Sequence, residues 1–412
     1  MEFGQGLAMW SPYSFSKSSD ATNSIIKRGR GISPYTSAGK IAFLNGIAIN
    51  YTSKYFTLTP FYSIENKENL FHSKNTYGTS LTITPIKNIN ISTFYYQHYI
   101  PPHYIGDKHF DEEIREYLSF SYDISYKTLY AIGEFSNYNN SVASINTLQF
   151  SIHNKFLIVA SIRNYPNNYK SYYARGFGES NRTNDEFGIY FGLKWKTNYG
   201  IVNFYFDQFK FTNKNKAIPL PSNGNEISIS YSFNPIEKGT LFFRYFNEQK
   251  EELGVIENEN KIIIKRTNKL RSEFSFNVNR HLRLKSRIEL LYLTKGIIAN
   301  SEKGLLLFQD FQYKIKTHFT FYGRVVFFQT DSFSSRIYEF ENDLIGVMKN
   351  QALWGSGIKW YFLFRYNPFA ALHISAKYSE LYKPKETQLG SGYNAIVGNL
   401  ENKFSLQIDF SF

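Results

Sequence analysis

Acidic and basic residues alternate with apolar ones in several short stretches through the second half of the chain. Carboxylate and guanidinium groups form charge-assisted hydrogen bonds and attract ions of opposite sign, so the chemistry these residues offer is electrostatic. The candidate functional residues are Arg271, Glu273, Arg287, Glu289, Asp310, Arg324, Glu339 and Glu341. Two interpretations remain open. The charges either brace a wet interior or form a selectivity surface for an anionic solute.

The sequence contains no recognisable catalytic or metal-binding motif. The densest group of possible metal ligands has the spacing of a solvated acidic loop, not that of a zinc-binding helix, and consists of His103, Asp107, His109, Asp111, Glu112 and Glu113. No nucleophile elbow, Walker loop or dinucleotide fingerprint occurs, and the absence of cysteine excludes thiolate sites and disulfides. A membrane lipase would need a paired Ser and His on its outer face, and we can assign none. We therefore expect a non-catalytic protein without metal or cofactor.

The C-terminal segment 403–412 predicts the kind of element that carries these charges. Its polar side chains fall on one face, and the other face is apolar throughout, with Phe404, Leu406, Ile408, Phe410 and Phe412. Strict alternation is typical of a β-strand that has one wet and one apolar side. The segment resembles the terminal strand of bacterial outer-membrane β-barrels, which closes the barrel. An open edge is not tolerated in lipid, so its pairing partner is predicted within residues 1–51.

The same alternation runs along the chain from about residue 39. Strands of ~10–13 residues suit tilted membrane spans better than the 5–6 residues usual in soluble sheets. They are predicted at 39–51, 54–65, 76–86, 89–99, 115–124, 127–137, 143–152, 155–164, 185–195, 199–212, 225–235, 238–249, 265–278, 281–294, 304–315, 317–329, 336–347, 354–366, 369–382 and 403–412.

The connections between these strands alternate in length, which is typical of outer-membrane barrels. Short turns such as 52–53 and 87–88 alternate with long loops, predicted at 66–75, 100–114, 165–184, 213–224 and 250–264. The rhythm breaks between 316 and 367, because Asn367-Pro368 is a short turn out of sequence. One strand is therefore wrongly assigned in this region, and the count of about 20 strands is uncertain by that much.

The charged face of the strands is predicted to be the inside of the barrel. In 281–290 the charged residues share one face, and the leucines and Ile288 share the other. An Arg or Lys that faces lipid at the bilayer midplane costs roughly 2–4 kcal/mol. The charged face is therefore the lumen, and the eight candidate residues should meet there from successive strands.

Composition agrees with this fold. Aromatic residues make up 18% of the chain, and no apolar run approaches the ~20 residues of a spanning helix, which excludes a helical membrane protein. No signal peptide follows Met1, so we expect a mature form or a fragment of a longer exported chain. The net charge of +13 favours anionic lipid, or an anionic or nucleic-acid partner.

Residues 1–38 are less regular than the rest of the chain. They are predicted to form an irregular N-terminal segment, possessing at most a truncated first strand. The basic run Lys27-Arg-Gly-Arg-Gly31 follows no strand-to-helix pattern and is interpreted as a loop, with phosphate contact as the open alternative. The whole chain, 1–412, is expected to be one barrel domain.

Several stretches, taken together, resemble the barrel half of bacterial outer-membrane proteins that carry periplasmic helix-hairpin-helix modules. They are Phe3-Gly-Gln-Gly-Leu7, Lys17, Tyr173-Ala-Arg-Gly-Phe-Gly-Glu179, Asn184-Asp-Glu-Phe-Gly188, Asp207-Gln-Phe-Lys210, Pro221-Ser222, Glu226, Arg287-Ile-Glu289, Arg324, Asp331-Ser-Phe-Ser-Ser-Arg-Ile-Tyr-Glu339, Glu341-Asn-Asp343 and Gly390-Ser-Gly392. Those modules are similar to the ones in DNA-uptake proteins. No such module is visible in this sequence, so the resemblance implies the barrel first and DNA handling second.

We therefore predict an all-β protein, a large antiparallel transmembrane β-barrel of about 20 strands (18–22) with short periplasmic turns and longer extracellular loops. Its expected place is the bacterial outer membrane, and its expected partners are membrane lipid and a periplasmic or plug protein. The predicted function is a pore, transporter or membrane anchor, and the alternative is a DNA-uptake or DNA-handling component. A barrel of this size has an aqueous lumen, so a plug, a folded-in loop or a partner should fill it.

Overall fold

The computed structural model describes most of the chain as β-structure. The described residues are 13–14, 26–27, 46–66, 73–105, 108–110, 113–170, 176–179, 183–213, 221–256, 259–296, 300–315, 318–347, 349–390, 392 and 395–410. They include no helix long and apolar enough to cross a membrane. The Gly-Gln-Gly motif, most of the segment 1–38 and the last two residues lie outside this described part of the chain.

The strands of the first half alternate with turns and loops from the N-terminus onward. They are β1 (Tyr13–Ser14), β2 (Ile26–Lys27), β3 (Gly46–Ala48), β4 (Tyr51–Thr52), β5 (Phe56–Asn66), β6 (Ser73–Ile86), β7 (Ile89–Ile100), β8 (His103–Ile105), β9 (Lys108–Phe110), β10 (Glu113–Tyr126), β11 (Leu129–Tyr138), β12 (Ser141–Ile152), β13 (Phe156–Tyr165), β14 (Glu186–Lys196) and β15 (Gly200–Phe211).

The strands of the second half include the longest of the molecule. They are β16 (Ser222–Ile236), β17 (Gly239–Ile256), β18 (Glu259–Asn277), β19 (Leu282–Lys295), β20 (Asn300–Ile315), β21 (Phe319–Thr330), β22 (Ile337–Glu341), β23 (Lys349–Leu353), β24 (Ser356–Phe369), β25 (Leu372–Tyr382), β26 (Gln388–Leu389), β27 (Ile396–Val397) and β28 (Leu400–Phe410).

One large sheet of twenty strand segments forms the wall of a barrel. Its order is β3, β4, β5, β6, β7, β10 to β21, β24, β25 and β28, and β28 stands next to β3, within the range predicted for its partner. β3 and β4 both pair with β5, so they form one interrupted first strand. From β5 to β28 the neighbours are antiparallel, and the predicted all-β barrel of about 20 strands is confirmed.

Short turns at one end of the wall alternate with longer connections at the other. One connection at the end that carries the longer ones is also short, because Asn139 and Asn140 form a two-residue turn with φ angles of 46° and 59°, the left-handed geometry a type I′ hairpin requires. The predicted long loop at 250–264 is wrong, because β17 and β18 pair as far as Ile256 and Glu259. Where β17 and β18 extend beyond the bilayer, neither face of the hairpin needs to be apolar. The sequence there no longer alternates between apolar and polar residues, although the backbones of the two strands remain paired.

The predicted wall strand at 336–347 is also wrong. β21 pairs directly with β24, with Gln329 opposite Ser356. The residues between them form a separate antiparallel hairpin, β22 and β23. We call the segment 331–355 the lumen hairpin, since its contacts lie on the inner face of the wall. The lumen hairpin explains why the alternation of short turns and long loops, as predicted from the sequence, breaks between 316 and 367.

The two faces of the wall are those that the alternation predicts. Leu270, Ile288 and Leu290 point outward and are about half exposed, as side chains that face lipid must be. On the last strand the apolar row is exposed to a similar degree, and Phe404 is 68% exposed. Polar side chains such as Glu289 occupy the inner face.

The inner face also carries apolar clusters that the alternation does not predict. A row of stacked rings crosses β5, β7, β10 and β11, and consists of Phe61, Phe94, Tyr96, Tyr117 and Tyr138, to which Tyr169 adds its ring edge-on. A second cluster lies beneath the lumen hairpin, where Ile337 and Leu353 are buried against the wall. Aromatic stacking adds to the area buried, so both clusters stabilise segments that lie against the wall.

Candidate functional site

Four of the predicted charged residues form one ion-pair network on β18 and β19. The register sets Arg271 opposite Glu289 and Glu273 opposite Arg287. The nearest atoms are 2.9 Å apart in the first pair and 2.6 Å apart in the second, and the ammonium of Lys285 lies 2.6 Å from the other oxygen of Glu273. Opposite charges on facing positions attract across the sheet, so the network links the two strands on the inside.

The next two predicted residues continue the network along β20 and β21. The guanidinium of Arg324 bonds to both carboxylate oxygens of Asp310, which lies directly opposite. Arg287 and Arg324 both stack on Phe308, with the guanidinium carbons 4.6 and 4.2 Å from the ring centre. The ring holds the two cations in fixed positions, because an aromatic face attracts a guanidinium group.

The remaining two predicted residues, Glu339 and Glu341, do not lie on wall strands. They belong to the lumen hairpin and point at the wall, where Glu339 forms an ion pair with Arg324 and Glu341 accepts a hydrogen bond from Lys359. Lys377 lies 3.1 Å from the other oxygen of Glu341. Sequence reasoning misplaced them because a hairpin that lies on a wet wall alternates in the same way as the wall itself.

Apolar contacts hold the same hairpin in place. Ile337 and Leu353 pack on an inner-wall cluster that includes Leu306, Phe308 and Val326. At the mouth of the hairpin the ammonium of Lys383 lies 3.4 Å from the centre of the Trp354 ring. Burial lowers the pKa of Lys383, and the carboxylate of Glu386 opposes that shift.

A second cluster of buried charges, which sequence reasoning missed, lies on β13, β14 and β15. Arg163 is only 1% exposed, and its guanidinium lies 2.7 Å from Glu186 and 2.8 Å from Asp207. Residues 176–179, which we call the covering loop, lie over it. The backbone N–H of Glu179 donates to Glu186 at 2.9 Å, and the Tyr165 hydroxyl donates to the carbonyl of Phe177 at 2.7 Å.

One signal in the sequence could have found this cluster. Arg163, Glu186 and Asp207 occupy the polar face of three consecutive strands, as Arg271 and its partners do. Part of it also falls in the stretches that carry the family resemblance, where Glu186 and Asp207 occur. The structure brings these separated stretches together around one arginine.

Three carboxylates stand close together beside the covering loop. Glu179, Glu226 and Glu248 each place one oxygen within 4.8 Å of the others. The ammonium of Lys250 bonds to Glu179 and lies 2.5 Å from Glu248, so it occupies the place a metal cation would take. The group is an ion-pair network, and we assign no metal to it.

Several cations of the inner wall have no carboxylate within ion-pair distance among the described residues, including Arg244, Lys269, Arg283 and Arg365. Arg244 lies directly opposite Arg271 on the neighbouring strand, an arrangement that is unfavourable on its own. Within the described part of the chain, Arg283 donates to the hydroxyl of Ser275, at 3.0 Å, and to no other side chain. The inner wall from β17 to β24 therefore carries a surplus of positive charge.

Comparison with known proteins gives a likeness in structure only. No protein-family profile matches the chain, and no curated protein matches it. The copper transporter OprC is similar over 88% of this chain and 68% of that chain, at 9% identity and a TM-score of 0.54. This chain has the outer-membrane β-barrel fold.

Two further structures show weaker likeness. OprD of Pseudomonas aeruginosa is 10% identical over 90% of this chain and 98% of that chain, with a TM-score of 0.39. The anion-selective porin from Comamonas acidovorans is 8% identical over 81% of this chain and 98% of that chain, with a TM-score of 0.37. The resemblance to helix-hairpin-helix proteins is not shown, and the DNA-uptake alternative gains no support.

Proposed function

We propose that the chain forms a water-filled pore through the bacterial outer membrane and that this pore favours anions. The observation that carries the proposal is the group of wall cations that have no carboxylate within ion-pair distance in the described part of the chain, which includes Arg244, Lys269, Arg283 and Arg365. Fixed charge of one sign along a wet path raises the local concentration of ions of the other sign. The unpaired cations thus favour chloride over potassium.

The acidic residues on the same wall do not offset this surplus. Glu273 and Glu289 lie within ion-pair distance of arginines, and Asp310 is held by Arg324. Glu339 and Glu341 are held between the lumen hairpin and the wall. The inner wall therefore combines the two interpretations offered for its charged residues. The eight predicted residues are paired and brace the wall, and the neighbouring cations without a carboxylate among the described residues attract anions.

The outer-membrane fold supports a role in passage across the membrane more than a role as an anchor alone. The copper transporter and the porin named above conduct solutes across the outer membrane, and a non-catalytic function accords with them. Membrane lipid is then the expected partner on the outer face, where the exposed apolar rows lie. A plug partner is not required, because the lumen hairpin already lies within the barrel.

Reversal potentials in planar bilayers under a potassium chloride gradient test the proposal. We expect a reversal potential that indicates preference for chloride. Replacing Arg283 by Gln should lower that preference about twofold, because a unit charge ~8 Å from an ion path in water contributes about 0.5 kcal/mol.

A matched variant separates a lumen effect from a general loss of charge. Lys155 lies on the short turn 153–155, where its ammonium bonds to Asn198 at 3.1 Å. Lys155→Gln removes the same charge outside the lumen and should leave the reversal potential nearly unchanged. Preference for potassium in the unaltered protein, or equal effects of the two variants, would contradict the proposal.

A further inference from the structure

The lumen hairpin exposes aromatic side chains to the inside of the barrel. Ile337, Glu339 and Glu341 are buried against the wall, and the alternate residues Tyr338 and Phe340 are 44% and 52% exposed. Phe333 and Trp354, at the two ends of the hairpin, are also exposed and meet edge to face. Lipid cannot reach this surface, so its apolar area faces water in the empty pore.

The wall opposite these residues is cationic. A pocket of about 220 Å³ lies between the hairpin and the wall and is lined by Phe340 and Asn342 from the hairpin and by Arg283, Lys285, Arg287 and Arg324 from the wall, among others. The carboxylate that lines it, Asp310, is already bound by Arg324 through both oxygens. Lys285, Arg287 and Arg324 already pair with carboxylates, so among the described residues the donors that remain for an anion in this pocket are chiefly those of Arg283.

Donors of this kind fit an oxyanion. A guanidinium group presents parallel N–H donors that match the two oxygens of a carboxylate. Arg283 uses one of its donors, Nε, for the hydroxyl of Ser275, and the other donors make no hydrogen bond to the described residues. Arg283, Lys285 and Arg287 follow each other at every second position of β19 and so form a column along the wall. A carboxylate that moves along the lumen therefore passes Arg283, Lys285 and Arg287 one after another.

We propose that this constriction binds organic anions that carry a carboxylate on an apolar ring. The carboxylate lies against the column on β19, and the ring lies against Phe340 of the lumen hairpin, which lines the same pocket. The inference rests on the anion pore proposed above and goes beyond it, because neither chloride nor an uncharged aromatic solute uses both surfaces.

Block of the chloride current in planar bilayers tests this inference. Benzoate, acetate and benzyl alcohol are added in turn to single channels, and the concentration that halves the current is measured. We expect benzoate to act at a lower concentration than acetate or benzyl alcohol. Equal potency of benzoate and acetate in a pore that still prefers chloride overturns the inference and leaves the pore function intact. A pore without preference for chloride overturns the pore function instead.

Substitutions on the two surfaces give distinct results if the inference holds. Phe340→Ser should raise the half-blocking concentration of benzoate about fivefold and leave that of acetate unchanged. Arg283→Gln should raise both. Tyr199→Ser, which alters an 84% exposed ring on a short turn, is the control and should change neither. Heat-modifiable migration in gels shows that each variant is folded, and a folded Phe340→Ser variant with unaltered benzoate block overturns the inference.

Discussion

Two inward segments of this barrel meet the wall in opposite ways. Beneath the covering loop all three charges of the cluster belong to wall strands, with Arg163 between Glu186 and Asp207. In the lumen hairpin the carboxylates Glu339 and Glu341 belong to the inward segment itself, and only their cations belong to the wall. Both clusters are buried to a similar degree, so the difference lies in where the partners are attached.

The attachment of the partners determines what happens when a pair is broken. A charge on the wall beneath the covering loop cannot reach water, so breaking its pair leaves a buried unpaired charge. A charge on the lumen hairpin can leave with the hairpin, and then both partners become hydrated. We infer that the first cluster acts on the stability of the wall and the second on the width of the lumen.

The largest expected effect is on the first cluster. Arg163→Met should lower the free energy of unfolding in lipid vesicles by about 3–5 kcal/mol, because it removes the guanidinium that lies between the two buried carboxylates Glu186 and Asp207. Urea titration followed by tryptophan fluorescence measures the change. Adding Glu186→Gln and Asp207→Asn to that variant should restore much of the loss. A loss below about 1 kcal/mol would mean that this cluster contributes no more to stability than the ion pairs of the lumen hairpin do.

A smaller effect is expected from crowding the same arginine. The guanidinium of Arg163 crosses directly over Gly188, where a Cβ would overlap it. Gly188→Ala should therefore push Arg163 from its partners and lower stability by about 1–3 kcal/mol in the same titration. Gly192→Ala on the same strand is the control, because its Cβ would meet only the Tyr190 ring, at 3.1 Å. Equal losses in the two variants would mean that the position of Arg163 is not what matters.

The smallest effect on stability is expected at the lumen hairpin. Glu341→Gln removes a carboxylate that Lys359 and Lys377 share, while Lys377 keeps its ion pair with Asp343. The free energy of unfolding should fall by less than about 1 kcal/mol, because the hairpin can leave and both ammonium groups can be hydrated. The single-channel conductance should rise at the same time. Arg336→Gln, which alters contacts within the hairpin only, should leave the conductance unchanged. A stable variant whose conductance does not rise would remove the distinction between the two clusters.

The wall of this barrel could be predicted from the sequence because lipid imposes a strict local rule. Every second side chain of a spanning strand must be apolar, so the faces of segments such as 281–290 follow from parity alone. The same rule places Arg271 and Arg287 on the inside and next to their acidic partners. Nothing beyond neighbouring residues is needed for these predictions.

The interior could not be predicted to the same extent, because a segment whose surface faces the aqueous lumen can have many different sequences. The segment 336–347 alternates like a wall strand, since a hairpin with one face on the wall and one in water satisfies the same local pattern. Only the count of turns around it, with Asn367-Pro368 out of sequence, indicated the error. The cluster around Arg163 depends on which distant segments meet, and a single sequence carries little information on such contacts.

The direct pairing of β21 with β24 makes the lumen hairpin an insertion rather than a part of the framework. The ladder runs to Gln329 and Ser356, so the wall is continuous on both sides of the point where the hairpin departs. Its sequence can thus drift, lengthen or be exchanged between relatives without any change in how the barrel is built. Selection can act on what the pore admits and on how the wall assembles as two separate traits, and a designer can graft a new filter between the same two residues.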